Sequence, residues 1–177
     1  MNYKKRIYCV LMLTCVSVLS YAQEGFHKIG AGVEIAMPMG DFSDGFSVGF
    51  GATGKVFYGI SVDADITGTV GYLHFGMKSS EYVSGHVSMI PVQFGYRHNF
   101  GGFYAEPQLG LMFVSSKVTF QGMGGIFGNA SGSASETKFS LGIGGGYEFG
   151  DWDFGLRYQI VEKANFLGMR VGYSFSL

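Results

Sequence analysis

The fold is decided by the segment Leu167-Gly168-Met169-Arg170-Val171-Gly172-Tyr173-Ser174-Phe175-Ser176-Leu177. Leu167, Met169, Val171, Tyr173, Phe175 and Leu177 share one parity, and Gly168, Arg170, Gly172, Ser174 and Ser176 share the other. Successive side chains of a strand point to opposite sides, so this alternation marks a β-strand with one apolar and one polar face. The sequence stops inside that strand, so its edge is expected to be covered by an earlier segment. Closure into a barrel, with pairing to the first strand around Ile29 to Ile35, is the simplest arrangement.

Seven earlier segments repeat the pattern. In 27–37, Ile29, Ala31, Val33, Ile35 and Met37 alternate with Gly30, Gly32 and Glu34. Further strands are expected at 46–58, 60–74, 86–96, 103–113, 138–149 and 152–161, with a tight turn at Tyr58-Gly59. The connections alternate in length. Long loops are expected at 39–45, 76–85 and 115–137, the last rich in Gly, Ser and Ala; short turns fall at 58–59, 97–102 and 150–151. Aromatics gather beside the short turns and the final residues: Phe57, Tyr58, Phe94, Tyr96, Phe100, Phe103, Tyr104, Tyr147, Phe149, Trp152, Tyr173 and Phe175. Short turns at one end, long loops at the other and an aromatic girdle predict an eight-stranded antiparallel up-and-down transmembrane β-barrel with periplasmic turns and extracellular loops. A soluble, secreted lipocalin-like barrel is the alternative, with the two faces exchanged.

The amino terminus agrees with export. Lys4, Lys5 and Arg6 precede an apolar run from Ile7 to Leu19 and a Ser20-Tyr21-Ala22 exit, which reads as a signal peptide over 1–22 followed by a single domain over 23–177. Cys15 raises a lipoprotein reading, but Met12-Leu13-Thr14 is a poor match to the small-residue box that precedes an acylated cysteine. Cys9 and Cys15 both fall in the removed segment, leaving no thiol chemistry. Without Lys4, Lys5 and Arg6, 9 basic residues face 13 acidic ones. That balance carries no nucleic-acid footprint.

If the apolar faces meet lipid, the charged residues of the other face point into the lumen or sit at its rim: Glu34, Lys55, Asp63, Asp65, Arg97, Glu106, Lys138, Glu148, Asp153, Arg157 and Arg170. Five are basic and six acidic. An eight-stranded barrel is only wide enough for its side chains to fill, and buried ions need partners. A salt-bridged plug is therefore expected; a charge-gated path for ions or water is the alternative.

Residues Ile90-Pro91-Val92-Gln93-Phe94-Gly95-Tyr96-Arg97, then Gly101-Gly102-Phe103-Tyr104-Ala105-Glu106 and Gly110, resemble the central hairpin of the outer-membrane β-barrel domain family, small barrels related in fold to OmpA and OmpX. The resemblance implies eight strands, insertion by the outer-membrane assembly machinery of a Gram-negative cell, and no assigned activity. Tyr173, Phe175 and Leu177 stand where the family carries its assembly signal, although Leu177 replaces the more usual terminal aromatic.

Three chemical readings compete with a structural or surface-interaction role. His86-Val87-Ser88 is similar to the His-x-Ser pair of outer-membrane lipid A deacylases, with Glu81 as the nearest acid. A bulge at Pro91 would turn that pair from the lipid side to the lumen. His74, His86 and His98 divide between opposite membrane sides and make no metal set. Gly122-Met123-Gly124-Gly125 lacks the context of a phosphate loop. The expected protein is a monomer with no catalytic residue, metal or cofactor. Its expected partners are outer-membrane lipid and lipopolysaccharide, the assembly machinery, and an extracellular ligand at the loops.

Overall fold

The computed structural model describes residues 25–78, 83–120 and 130–177. The expected signal peptide, Glu81 and the Gly122 run lie outside them. Strands β1 (Phe26–Pro38), β2 (Phe46–Ser61), β3 (Ala64–Met77), β4 (Val83–Phe100), β5 (Phe103–Phe120), β6 (Ala130–Phe149), β7 (Trp152–Val161) and β8 (Phe166–Ser176) pair in sequence order as a closed barrel. Every pairing is antiparallel, and β8 closes onto β1 through register pairs that include Ile29 with Phe175, Val33 with Val171 and Glu34 with Arg170. The ring thus leaves no strand edge where the strands cross the membrane, which lipid requires because it cannot hydrogen-bond a free backbone.

At one end the connections are two residues long. Gly101 and Gly102 carry φ values of 70° and 102°, and Gly150 one of 58°. In these two hairpins the positive φ lets the turn match the twist of the flanking strands. The turn expected at Tyr58-Gly59 lies instead at residues 62–63, because the β2–β3 ladder runs through Tyr58 with Ile66 and Gly59 with Asp65 before it ends at Ser61 with Ala64. Glycine alone does not end a strand, and the alternation of Tyr58, Ile60 and Val62 carries on past it. At the other end the long loop expected over 115–137 is shorter. β5 and β6 pair as far as Phe120 with Ala130, so their extensions are ladder despite a Ser- and Gly-rich sequence. Between β1 and β2 sits one short helix, α1 (Asp41–Gly45), which lays Phe42 over the barrel mouth.

The outward face is apolar over a limited height. In β4 it reads Phe100, His98, Tyr96, Phe94, Val92 and Ile90, then turns polar at Ser88 and His86. In β5 the change falls between Phe113 and Ser115, in β6 between Phe139 and Thr137, and in β3 between Tyr72 and His74. From Phe100 to Ile90, a strand rising ~3.3 Å per residue and tilted by ~40° climbs roughly 25 Å, the height of a membrane barrel's apolar band. Above that line the faces exchange: Leu73, Phe75, Val87, Met89 and Met112 turn inward and are buried. The barrel therefore has a polar interior where lipid surrounds it and an apolar interior where water does.

Candidate functional site

Within the apolar band, the interior is a charge network to which every strand contributes. Glu106 of β5 is its hub. It accepts hydrogen bonds from Lys55 Nζ at 2.8 Å, Arg97 Nη2 at 2.7 Å, Thr67 Oγ1 at 2.7 Å and Gln108 Nε2 at 2.6 Å. Arg97 of β4 also reaches Asp153 of β7 at 2.9 Å and Glu148 of β6. Its guanidinium lies 3.6 Å from the centroid of the Tyr104 ring and 4.9 Å from that of Phe57. Arg170 of β8 extends the network to Asp153 at 3.3 Å and to Thr53 of β2 at 2.8 Å. Arg157 binds Glu34 of β1 at 2.7 Å, and Gln93 and Gln108 at 2.9 Å each.

Four cations, Lys55, Arg97, Arg157 and Arg170, thus meet four anions, Glu34, Glu106, Glu148 and Asp153. Pairing and hydrogen bonds offset the several kcal/mol that desolvating each ion would cost. The remaining charged positions lie outside this cluster. Asp65 faces His27 at 3.4 Å near the periplasmic rim. Asp63 is exposed in the β2–β3 turn, where its carbonyl accepts the Asn99 N–H at 2.8 Å. Lys138 pairs with Glu136 at 3.3 Å near the outer end.

Two girdle assignments are corrected. Phe57 and Tyr104 point inward, with 1% and 7% of their surface exposed. Phe57 shares the parity of Lys55, and Tyr104 that of Glu106, so the alternation already carried this signal; proximity to the turns masked it. Tyr104 donates from Oη to Asp153 at 2.7 Å. Its ring lies in a notch at Gly146 and Gly155, where a Cβ on Gly155 would stand 2.7 Å from that oxygen. Gln93, Gln108 and Thr67 share the inward parity and complete the network, although no charge marks them for it in the sequence.

Above the charges lies an apolar layer that the expected polar lumen did not include. Ala36, Leu73, Phe75, Val87, Met89, Met112, Val161 and Phe166 fill it. Phe42 of α1 closes it from outside, its ring 5.1 Å from Phe75, which in turn lies 5.7 Å from Phe166.

Pro91 causes no bulge. It pairs in register with Met112, and its neighbours keep the same register. His86 and Ser88 consequently stay on the outward face. Ser88 Oγ lies 2.8 Å from Tyr72 Oη and 3.3 Å from His74 Nδ1. The hydroxyl is therefore engaged by His74, not His86, and among the described residues no carboxylate is bonded to either imidazole. Among those residues there is also no group of three His, Cys, Asp or Glu side chains placed to hold a metal.

Tyr173 and Phe175 of the expected assembly signal face outward near the periplasmic end. Tyr173 packs edge-on against Trp152 at 5.4 Å and donates to Asp151 at 2.9 Å. Leu177 is exposed, and its N–H donates to the His27 carbonyl at 3.0 Å.

A family model described as outer membrane protein beta-barrel domain matches residues 8–175. No curated protein matches the chain significantly. Among solved structures, the attachment invasion locus protein Ail of Yersinia pestis is similar over 86% of this chain and 100% of its own, at 18% identity and a TM-score of 0.62. Neisserial surface protein A is similar over 85% of this chain and 97% of its own, at 16% identity and a TM-score of 0.50. At these identities the likeness concerns the fold.

Proposed function

Because the chain belongs to the outer membrane protein β-barrel domain family and resides in the Gram-negative outer membrane, we propose that it acts as a surface barrel: closed through its centre and working through the sheet that it raises above the membrane. The observation that carries this reading is the unequal length of its strands. β4, β5 and β6 continue together to Val83, Phe120 and Ala130, whereas β7 pairs with β6 only from Ser140 with Val161 downward. Residues 130–139 of β6 therefore pair with β5 on one side alone. Such an edge offers backbone N–H and C=O groups to an extended segment of another protein. Ser133, Ser135 and Thr137 on its outward side keep it hydrophilic, which suits reversible contact better than aggregation.

Two further elements belong to the proposal. The charge network serves as a plug, with the apolar layer as a second seal outside it. Residues 1–22 direct export, and Tyr173, Phe175 and Leu177 present the barrel to the assembly machinery. A narrow pore is the competing reading, and the interior space bears on it. A cavity of about 30 Å³ lies among Glu34, Thr69, Arg157 and Arg170. That is room for a water molecule or two, far less than a continuous path.

Ail has been solved in complex with the heparin analogue sucrose octasulfate. The outer end of the present chain carries Lys78, Lys117, Lys138 and Lys163 beside Asp41, Asp44, Glu81, Glu136 and Glu162. That slightly acidic balance favours an extended peptide over a dense polyanion.

The surface reading is tested by cysteine labelling, since the exported chain has no native cysteine once residues 1–22 are removed. In intact cells, Ser133→Cys should react with a membrane-impermeant maleimide while Val62→Cys, in a turn at the opposite end, should react only after the outer membrane is permeabilised. Equal protection of both, or labelling of Val62→Cys alone, would overturn the orientation and with it the proposed surface role.

A further inference from the structure

We infer that His74 and His86 form a two-histidine chelate for a divalent late transition-metal ion, copper(II) most tightly, on the outward face of β3 and β4 above the apolar band. The strands pair His74 with Ser88 and Gly76 with His86, so the two imidazoles are diagonal neighbours on one face. Their ring centroids are 5.0 Å apart and their planes are tilted by 38°. An imidazole nitrogen binds such an ion at about 2.0–2.1 Å, which sets the ring centroid ~3.2 Å from the metal; two rings at an angle of about 90–110° then stand roughly 4.5–5.2 Å apart. The observed spacing falls in that range, so a shared ion requires no movement of either strand.

The surroundings orient one of the rings. His74 Nδ1 lies 3.3 Å from Ser88 Oγ, which lies 2.8 Å from Tyr72 Oη. Ser88 can accept from Nδ1–H while it donates to Tyr72, which leaves the Nε2 lone pair of His74 free for a metal. Metal-binding histidines are commonly held in this way, one ring nitrogen fixed by a hydrogen bond so that the other coordinates. His74 is exposed and His86 half-buried, and a groove of about 420 Å³ opens beside Tyr72, His86 and Ser88. Water can therefore complete the coordination shell. Among the described residues no third His, Cys, Asp or Glu side chain joins the pair. The site is thus open and exchangeable, unlike the closed four-ligand sites of structural zinc. Imidazole nitrogens suit copper(II), nickel(II) and zinc(II), with copper first in affinity, whereas magnesium prefers oxygen ligands. Lys117 pairs in register with His86 and brings a positive charge near the site. It is exposed, and its flexible stem lets the ammonium remain in water away from the ion.

The test titrates the folded, exported barrel in detergent with copper(II), since that form lacks Cys9 and Cys15 of residues 1–22, which would bind copper themselves. Calorimetry should give one tight ion per barrel, and electron paramagnetic resonance should show coupling to two nitrogens. His74→Gln and His86→Gln should each weaken binding at least tenfold and reduce the coupling to one nitrogen. His98→Gln should change neither, because His98 pairs with Ala64 at the opposite end of the barrel. Nickel(II) should bind more weakly than copper(II), and magnesium(II) should not compete. Heat-modifiable mobility on gels verifies the fold of each variant; should one site variant misfold, the other carries the comparison. Unchanged copper binding by a folded site variant, equal loss in His98→Gln, or coupling to a single nitrogen in the unaltered protein would overturn the chelate while leaving the surface-barrel reading intact.

Discussion

Arg97→Ala should lower the unfolding free energy by about 3–5 kcal/mol, measured by urea titration of the protein folded into lipid vesicles. The guanidinium is fully buried and serves Glu106, Asp153 and Glu148 at once. Removing it leaves the buried carboxylates of Glu106 and Asp153 short of a partner and almost without access to water, and it leaves the faces of Tyr104 and Phe57 without the group they enclose. The cost is that of unpaired charge, which exceeds what the pairs contribute when intact. Asp63→Ala provides the contrast. Asp63 is exposed in a turn and engages Asn99 through its backbone, so its side chain can be removed with a change within about 0.5 kcal/mol. Equal effects of the two substitutions would show that the interior charges do not act as a connected network.

Deleting residues 173–177 should abolish the folded, heat-modifiable band altogether. The lost segment supplies the β8 partners of Lys28, Ile29, Gly30 and Ala31 in β1, and the Leu177 N–H bond to His27. It also carries the Tyr173 ring that packs on Trp152. Without it the barrel cannot close at its periplasmic end, and several backbone groups of β1 would face lipid unpaired, each at a cost of several kcal/mol. Phe175→Ala removes one outward side chain and no ladder bond, so it should reduce the yield of folded barrel without eliminating it. A truncated chain that still shifted on boiling would refute the closing role of the last strand.

Much of this was legible in the sequence wherever strict alternation held. Strand number, lipid face and the inward position of Arg170 all follow from parity, because a one-residue slip would put that guanidinium into lipid at about 2–4 kcal/mol near the midplane. Other features escaped for identifiable reasons. Tyr58-Gly59 looked like a turn because glycine is a common breaker, but only the ladder shows that extension continues to Ser61. Residues 115–120 and 130–137 looked like loop because they are rich in small polar residues; pairing between them, which composition does not encode, makes them strand. Phe57 and Tyr104 lie near the turns, as girdle residues do, but their parity places them inside. The upper apolar layer was hidden by a change of environment along single strands. Alternation continues through Tyr72 and His74, but the medium outside changes from lipid to water, so the polarity of the two faces exchanges without any break in period. The partners inside the lumen, such as Arg157 with Glu34 and Arg97 with Asp153, depend on distances across the barrel that no local pattern contains.

That the barrel is shut by two stacked layers, charges below and apolar side chains above, is the claim most open to direct measurement. Purified protein should be reconstituted in planar bilayers, together with Arg157→Ala. Removing Arg157 opens space only in the lower layer, and Phe75, Phe166, Met89 and Phe42 remain across the outer mouth. Neither protein should produce stepwise conductance. Discrete openings of the unaltered protein would contradict the closed-barrel account, and openings gained by Arg157→Ala would show that the apolar layer does not seal.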